Sequence, residues 1–198
     1  MNKHMKLIGI KARKASEKKI NTDTKNKILS DYAKLIDKEK NFIIKENTKD
    51  IKFAKAKGIK ENLINRLEIS NEKLIGIKKS IEKIVKLKDP VDVTLQRWHR
   101  PNGLYIRRVT IPIGVIGVIY ESRPNVTSDV ASLCFKSGNV VMLKGGSEAI
   151  NTNRILAKIF RKALKKNKVD ENFVQFLDFK ERKIVDIMLS RMKKYIDI

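Results

Sequence analysis

The residues of this chain that are equipped for chemistry gather in two short segments, Glu121-Ser122-Arg123-Pro124-Asn125 and Lys144-Gly145-Gly146-Ser147-Glu148. An asparagine amide held at a strand end can donate a hydrogen bond to a developing oxyanion, which is worth about 3 kcal/mol in acyl transfer. Pro124 fixes the backbone of the turn that would aim the Asn125 amide. A helix cap is the competing role for Asn125, and that residue type suits it equally. Lys144 offers a point charge for a phosphate or donors for ribose hydroxyls, while Gly145 and Gly146 leave room for a ligand to approach the backbone at a helix N-terminus. The plainer alternative is a glycine turn joining strand to helix beside a solvated lysine. Neither GxGxxG nor GxxxxGK[ST] occurs, so neither nucleotide fingerprint is present.

Other reactive groups are few. Cys134 is the single cysteine, which rules out an internal disulfide and two-cysteine metal patterns. Flanked by Leu133 and Phe135, it reads as a small buried hydrophobe. His4 and His99 lie far apart without ligand-spaced neighbours, so no metal is expected. The 45 Lys and Arg against 22 Asp and Glu give a net charge of +23, which would ordinarily raise nucleic-acid or anionic-membrane binding. Yet the lysines are spread over nearly every predicted helix, Lys dominates Arg, and aromatics make up 6%. Nucleic-acid surfaces more often cluster cations with aromatics for stacking. A drift of composition toward Lys, Ile and Asn accounts for the charge without such a partner.

The elements that must position the two loops follow from apolar spacing. Val115 to Tyr120 and Val140 to Leu143 are β-like runs separated by about 15 residues of helix-forming sequence, which reads as a parallel βαβ unit with both faces buried. Ligands of such sheets sit in the loops at the carboxyl ends of the strands. Upstream, helices are expected over Met5 to Ile20, with Ile10, Ala12 and Ala15 on a weak apolar face, and after the capping oxygens of Thr22-Asp23-Thr24, with Ile28, Leu29, Tyr32, Leu35 and Ile36 on one face. Asn41 to Lys57 continues with Phe42, Ile43, Ile51, Phe53 and Ala54 as apolar positions and Gly58 as the C-terminal cap. A turn over Leu63 to Leu67 precedes the capping pair Ser70-Asn71 and a helix carrying Leu74, Ile77, Ile81, Ile84 and Val85 that Asp89-Pro90 stops. Val93 to Arg100 and Leu104 to Thr110 read as a hairpin about Pro101-Asn102-Gly103, with Trp98 and Tyr105 as packing anchors and a candidate oligomer contact. After Gly146 come a long helix through Leu164 with a basic end, a short strand at Phe173 to Leu177, and a helix opened by a capping box at Asp178 to Glu181. Tyr195 to Ile198 reads as the start of a further strand.

The expected fold class is therefore α/β: N-terminal helices over 1–90, a β-hairpin over 91–111, and an incomplete Rossmann-like parallel sheet over 112–198. At 198 residues the chain suffices for one cored domain or a domain with an extension. No run reaches the roughly 18 apolar residues of a membrane span, and the Lys-rich start lacks a signal peptide's apolar region, so a cytoplasmic location is expected.

The run from Pro112 through Tyr120-Glu121-Ser122-Arg123-Pro124-Asn125-Val126, with Asp129 to Cys134, Lys136-Ser137-Gly138-Asn139 and Lys144 to Ala149, resembles the gamma-glutamyl phosphate reductase family, also called glutamate-5-semialdehyde dehydrogenases, within the aldehyde dehydrogenase superfamily. Asn47, Asp50, Ala54, Gly58, Arg66-Leu67, Asp89-Pro90-Val91 and the closing Lys194-Tyr195-Ile196-Asp197 fit the same pattern. The resemblance implies NADPH-dependent reduction of L-glutamyl 5-phosphate to L-glutamate 5-semialdehyde in proline biosynthesis. In that family a cysteine thiolate attacks the acyl phosphate, phosphate leaves, and hydride reduces the thioester. Carried over by position, Asn125 matches the oxyanion-hole asparagine, and Lys144 matches the lysine that contacts the adenosine ribose and its 2′-phosphate. Gly145, Gly146, Ser147 and Glu148 lie in the same cofactor loop, and Arg123 is a candidate for a substrate phosphate or carboxylate. Family members continue beyond the position of Ile198 into a catalytic domain bearing the nucleophile, and Cys134 corresponds to a non-catalytic position. The resemblance therefore implies an amino-terminal part, truncated before the catalytic cysteine. Either a separate C-terminal chain completes it, or it binds NADP(H) at most, and a homo-oligomer is a further candidate assembly.

Overall fold

Each amphipathic stretch in the first half of the chain closes into a helix because its apolar residues recur at three- and four-residue steps. The structure, a computed structural model, describes residues 3–121 and 123–198. Helix α1 (Lys3–Ser16) stops short of Ile20 and buries Met5, Gly9, Ala12 and Ala15, while Ile10 faces solvent. Helix α2 (Thr22–Lys38) is capped by Asn21, whose side chain accepts from the Thr24 N–H at 2.8 Å. The cap expected from the Thr22-Asp23-Thr24 oxygens thus falls one residue earlier, and the Thr22 hydroxyl donates to Asp89. Helix α3 (Lys40–Ala56) ends at Gly58, whose φ of +67° suits the left-handed cap. Its buried face is Ile43, Asn47, Asp50 and Ala54, whereas Phe42 and Phe53 are exposed, contrary to the apolar reading of this helix. Helix α4 (Glu61–Leu67) leads to α5 (Asn71–Lys86), which Ser70 caps by accepting from the Lys73 N–H and which buries Leu74, Ile77, Ile81 and Ile84.

The hairpin forms as expected. β1 (Thr94–His99) pairs antiparallel with β2 (Tyr105–Val109), and Gly103 takes the positive φ, +82°, that the turn requires. These two strands form a sheet of their own, and all their residues except Ile106 are exposed. Trp98 and Tyr105 are exposed and thus not packing anchors: among the described residues no second layer covers the ribbon.

The second sheet has the order β3-β4-β5, all parallel: β3 (Val115–Ile119), β4 (Val140–Lys144) and β5 (Val174–Phe176). Its crossovers are α6 (Pro124–Lys136) and α7 (Ile150–Lys166), the latter preceded by a 3-10 turn at Ser147–Ala149. Central β4 is wholly buried, but β3 is buried fully only at Val115, so the expectation of two covered faces holds for β4 alone. α6 and α7 pack against this sheet, α2 and α5 add a layer over them, and α1 packs against β3 and β4. The helical first part thereby finds the surface its one-sided hydrophobicity demands. Phe135 stacks edge-on against Phe160 and Phe173, and Phe160 meets Tyr32 at the junction of the layers.

Helix α8 (Lys183–Arg191) starts without a side-chain cap, and the capping box expected at Asp178 to Glu181 is corrected: the Asp178 carboxylate accepts two bonds from Arg154, at 2.6 and 2.7 Å. The strand expected to begin at Tyr195 to Ile198 does not form, and among the described residues the segment makes only two backbone bonds to β3. The Asp197 N–H donates to the Val115 carbonyl at 2.8 Å, and the Gly117 N–H to that of Ile198 at 2.7 Å. Among the described residues, no helix is long and apolar enough to cross a membrane.

Candidate functional site

Parallel register alone brings the two loops together. Ile119 pairs with Lys144, so both strands end at the same level, and the Tyr120 N–H donates to the Lys144 carbonyl at 3.1 Å. Above these ends lies a cleft of about 880 Å³. Lys60, Arg66, Arg123 and Arg182 surround it, together with Tyr120, Gly146 and Glu148. Four cations against Glu121 and Glu148 make its walls net positive, suited to an anionic ligand.

The Lys144-to-Glu148 segment is not a solvated turn. Lys144 is only 6% exposed and donates to the Gly145 carbonyl at 2.8 Å. Burial pulls its pKa below the ordinary lysine value, with the nearby charges of Glu148 and Glu181 opposing that shift. Gly145 and Gly146 differ in kind. A Cβ on Gly145 would run into the Asn153 side chain and come within 3.0 Å of the Tyr120 ring, so glycine there serves packing. Gly146 lines the cleft. The Ser147 hydroxyl donates to Glu148 at 3.1 Å.

A free helix N-terminus behind this loop, expected as part of a ligand site, is not what the fold provides. The Asp50 carboxylate of α3 occupies the start of α7, accepting from the backbone of Asn151 at 3.1 Å and of Thr152 at 2.8 Å, and from both side chains at 2.8 and 2.6 Å. Beside it the Asn47 amide donates to the Leu67 carbonyl and to Thr152, and its oxygen accepts from the Ile69 N–H. Together they staple α3, the α4–α5 corner and α7 into one frame beneath the cleft. Residue reasoning on the sequence did not assign them a role. The available signal was two polar residues three apart on the same face as Ile43 and Ala54.

Arg123 and Asn125 sit at the opening of α6. Pro124 is its first residue, and Arg123 precedes it in extended conformation without a side-chain cap. Asn125 is therefore inside the first turn and is not the cap. It is exposed rather than buried, and its amide donates to Asp129 Oδ2, one turn on, at 3.3 Å. Arg123 faces the cationic cleft. Asn125 faces an adjoining groove of about 350 Å³ lined also by Arg66, Lys73, Ser80 and Asp129, so Arg66 lies on the wall of both. Ser122 lies outside the described residues.

Behind the cleft, Tyr120 Oη lies 2.7 Å from Thr127 Oγ1, which donates to Asn153 Oδ1 at 2.9 Å. Burial pushes the Tyr120 phenol up to about 12, which keeps it neutral. Cys134 is buried as expected, and the same cause lifts its thiol to about 11, the opposite of an activated nucleophile. Among the described residues no group of three His, Cys, Asp or Glu side chains could hold a metal.

No protein-family model matches the chain. Curated relatives do. It is 43% identical over 190 residues to a gamma-glutamyl phosphate reductase of Halothermothrix orenii, covering 95% of this chain and 45% of that protein. It is 44% identical over 179 residues to one of Alkaliphilus metalliredigens, covering 90% and 43%. Among solved structures, the gamma-glutamyl phosphate reductase of Thermotoga maritima superposes with a TM-score of 0.93 at 36% identity, over 97% of this chain and 47% of that one. The Saccharomyces cerevisiae enzyme gives 0.87 at 30%, over 96% and 49%. A probable aldehyde dehydrogenase of Listeria monocytogenes gives 0.70 at 13% identity, a likeness of fold alone. The chain spans about 45% of the length of these curated relatives, and the resemblance read from its motifs runs through nearly all of it.

Proposed function

We propose that this chain, similar nearly from end to end to part of gamma-glutamyl phosphate reductases, forms the cofactor side of an enzyme that reduces L-glutamyl 5-phosphate to L-glutamate 5-semialdehyde and phosphate with NADPH, a step toward L-proline. One observation carries this reading: 43% identity extends over 95% of the chain, through the helices, the hairpin and both strand-end loops. On the same reading, 1–90 are the helical part of the cofactor domain, 91–111 an oligomer contact, 112–198 the NADP(H)-binding region, and the setting is cytoplasmic.

The residues present fit a phosphorylated dinucleotide. The cleft at the strand ends is ringed by four cations and admits a ligand over Gly146. Lys144 spends one of its three donors on the Gly145 carbonyl and can turn the others to a ribose hydroxyl or 2′-phosphate. Glu148 is placed to accept from a ribose hydroxyl. When bound, the cofactor supplies the hydride. Asn125 supplies the amide that meets the oxyanion of the reacting carbonyl, for which it must leave Asp129; at 3.3 Å that bond is long for an amide–carboxylate pair and easily exchanged. Arg123 takes the phosphate that departs. The nucleophilic cysteine of this reading belongs to the length of the relatives that this chain does not span, so the chain turns over only together with that portion.

The test is direct. The chain alone should bind NADPH and show no turnover. Supplied with the remaining portion of a relative, and with glutamate, ATP and glutamate 5-kinase, it should oxidise NADPH and form the semialdehyde. Absence of NADPH binding would sink the proposal. In the reconstituted enzyme, Asn125→Ala should lower turnover by about a hundredfold with cofactor affinity unchanged.

A further inference from the structure

The groove beside Asn125 holds a polar arrangement that shares only Arg66 with the cofactor cleft. Asp129 Oδ1 is buried and has no hydrogen-bond partner, while its Oδ2 holds the Asn125 amide. A carboxylate oxygen left unpaired away from water is costly and in a folded protein calls for an explanation. Arg66, which also lines the groove, is exposed and makes no hydrogen bond or ion pair among the described residues, and Ser80 adds a hydroxyl. Lys73, by contrast, is committed to the carbonyls of Asn65 and Glu68. A groove lined by a carboxylate with spare acceptor capacity and by one unpaired guanidinium is complementary to a zwitterion.

We propose that this groove recognises the α-amino-acid end of the substrate, Asp129 taking the α-ammonium and Arg66 the α-carboxylate. The inference rests on the reductase reading, since it takes the substrate to be a glutamyl derivative. Spacing supports it: Asn125 Nδ2 and Asp129 Oδ2 lie 3.3 Å apart, so two ligand groups each about 3 Å from one of them can stand about 5 Å from each other. The three carbon–carbon bonds from the reacting carbonyl to the α-carbon of a glutamyl chain span roughly 4 Å, and the ammonium lies one bond farther. With the ammonium on Asp129, the reacting carbonyl therefore falls at Asn125. The ammonium also competes for the carboxylate that now holds the Asn125 amide, so occupation of the groove frees that amide for the oxyanion. Asp129 and Arg66 act on specificity and Asp129 additionally positions Asn125.

The experiment uses the chain itself and three small probes: L-glutamate, glutarate, which lacks the ammonium, and 4-aminobutyrate, which lacks the α-carboxylate. Binding is read from the Asn125 side-chain amide resonance. L-Glutamate should bind at least tenfold more tightly than either analogue and shift that resonance. Asp129→Asn, an isosteric change that retains an acceptor for Asn125, should abolish the preference over glutarate. Arg66→Gln, at an exposed position, should abolish the preference over 4-aminobutyrate. Equal affinity for all three probes in the wild type, or no binding of L-glutamate, would overturn the proposal. Loss of the reductase reading is separately visible as failure to bind NADPH, which leaves the probe comparison unaffected.

Discussion

Lys144 shows how much a single side chain's surroundings change its chemistry. As a solvated turn lysine it would carry a screened charge of little discrimination. Buried and held by one backbone carbonyl, it is a directed donor at a strand end, with a pKa lowered by desolvation against the opposing pull of Glu148 and Glu181. Charge-assisted hydrogen bonds of this kind contribute about 1.5–3 kcal/mol. Lys144→Ala should therefore weaken NADPH binding about ten- to a hundredfold while NADH binding changes much less, measured by nucleotide fluorescence titration; equal losses for both would remove the 2′-phosphate role. Because the folded-state pKa is lowered, the charge disappears at a lower pH than on a free lysine. NADPH affinity should accordingly fall as pH rises toward that value, with NADH affinity flat.

Among the elements, α7 depends on a residue from a helix far away in the chain. The Asp50 carboxylate accepts four hydrogen bonds at the start of α7, where the helix dipole also favours negative charge. Asp50→Ala leaves these donors unpaired and should cost about 2–3 kcal/mol, seen as a melting temperature lower by roughly 5–10 °C; a change within 0.5 kcal/mol, the range of an ordinary surface substitution, would show that water replaces the carboxylate. At the other edge of the sheet, the Asp197 pKa is lowered first by the hydrogen bond from Arg13, against desolvation, and further by the Val115 N–H. A depressed carboxylate stabilises above its unfolded pKa and loses that contribution as pH falls through the folded one. Hydrogen-exchange protection of the Gly117 amide, bonded to Ile198, should thus be constant from neutral pH down to about the ordinary Asp value and decline below it. Protection that persists unchanged through the acid range would mean that the edge pairing does not need the Arg13–Asp197 pair.

For the molecule as a whole, the dominant electrostatic fact is a net charge of +23. Several of its ion pairs lie at the surface, where each contributes little, whereas the Lys25–Asp89 pair is buried and poorly screened. Self-repulsion among the excess lysines should outweigh the surface pairs. The melting temperature is therefore expected to rise as salt shortens the Debye length from about 30 Å toward 8 Å; a fall over that range would mean that the surface pairs dominate. The spread of lysines also predicts no duplex DNA binding at physiological salt, since charge without a recognition face gives weak contacts that salt removes.

The sequence by itself determined the elements whose causes are local. Apolar residues at helical steps specify α2 and α5, Asn102-Gly103 the hairpin turn, and two apolar runs with a helical linker the parallel β3–β4 pair. The motif resemblance picked out the two loops that the strand register then brought together. Only the tertiary structure decided which polar groups those loops present. Gly145 proved to be a packing glycine because Tyr120 and Asn153 fill its Cβ space. Asn125 proved to be an exposed first-turn residue tied to Asp129. The start of α7 was taken by Asp50, 101 positions away. Trp98 and Tyr105 are exposed because, among the described residues, no second layer lies behind their hairpin. Local spacing encodes which face of an element is apolar. It does not encode which distant face comes to rest against it, and the chemistry of this site depends on such long-range contacts.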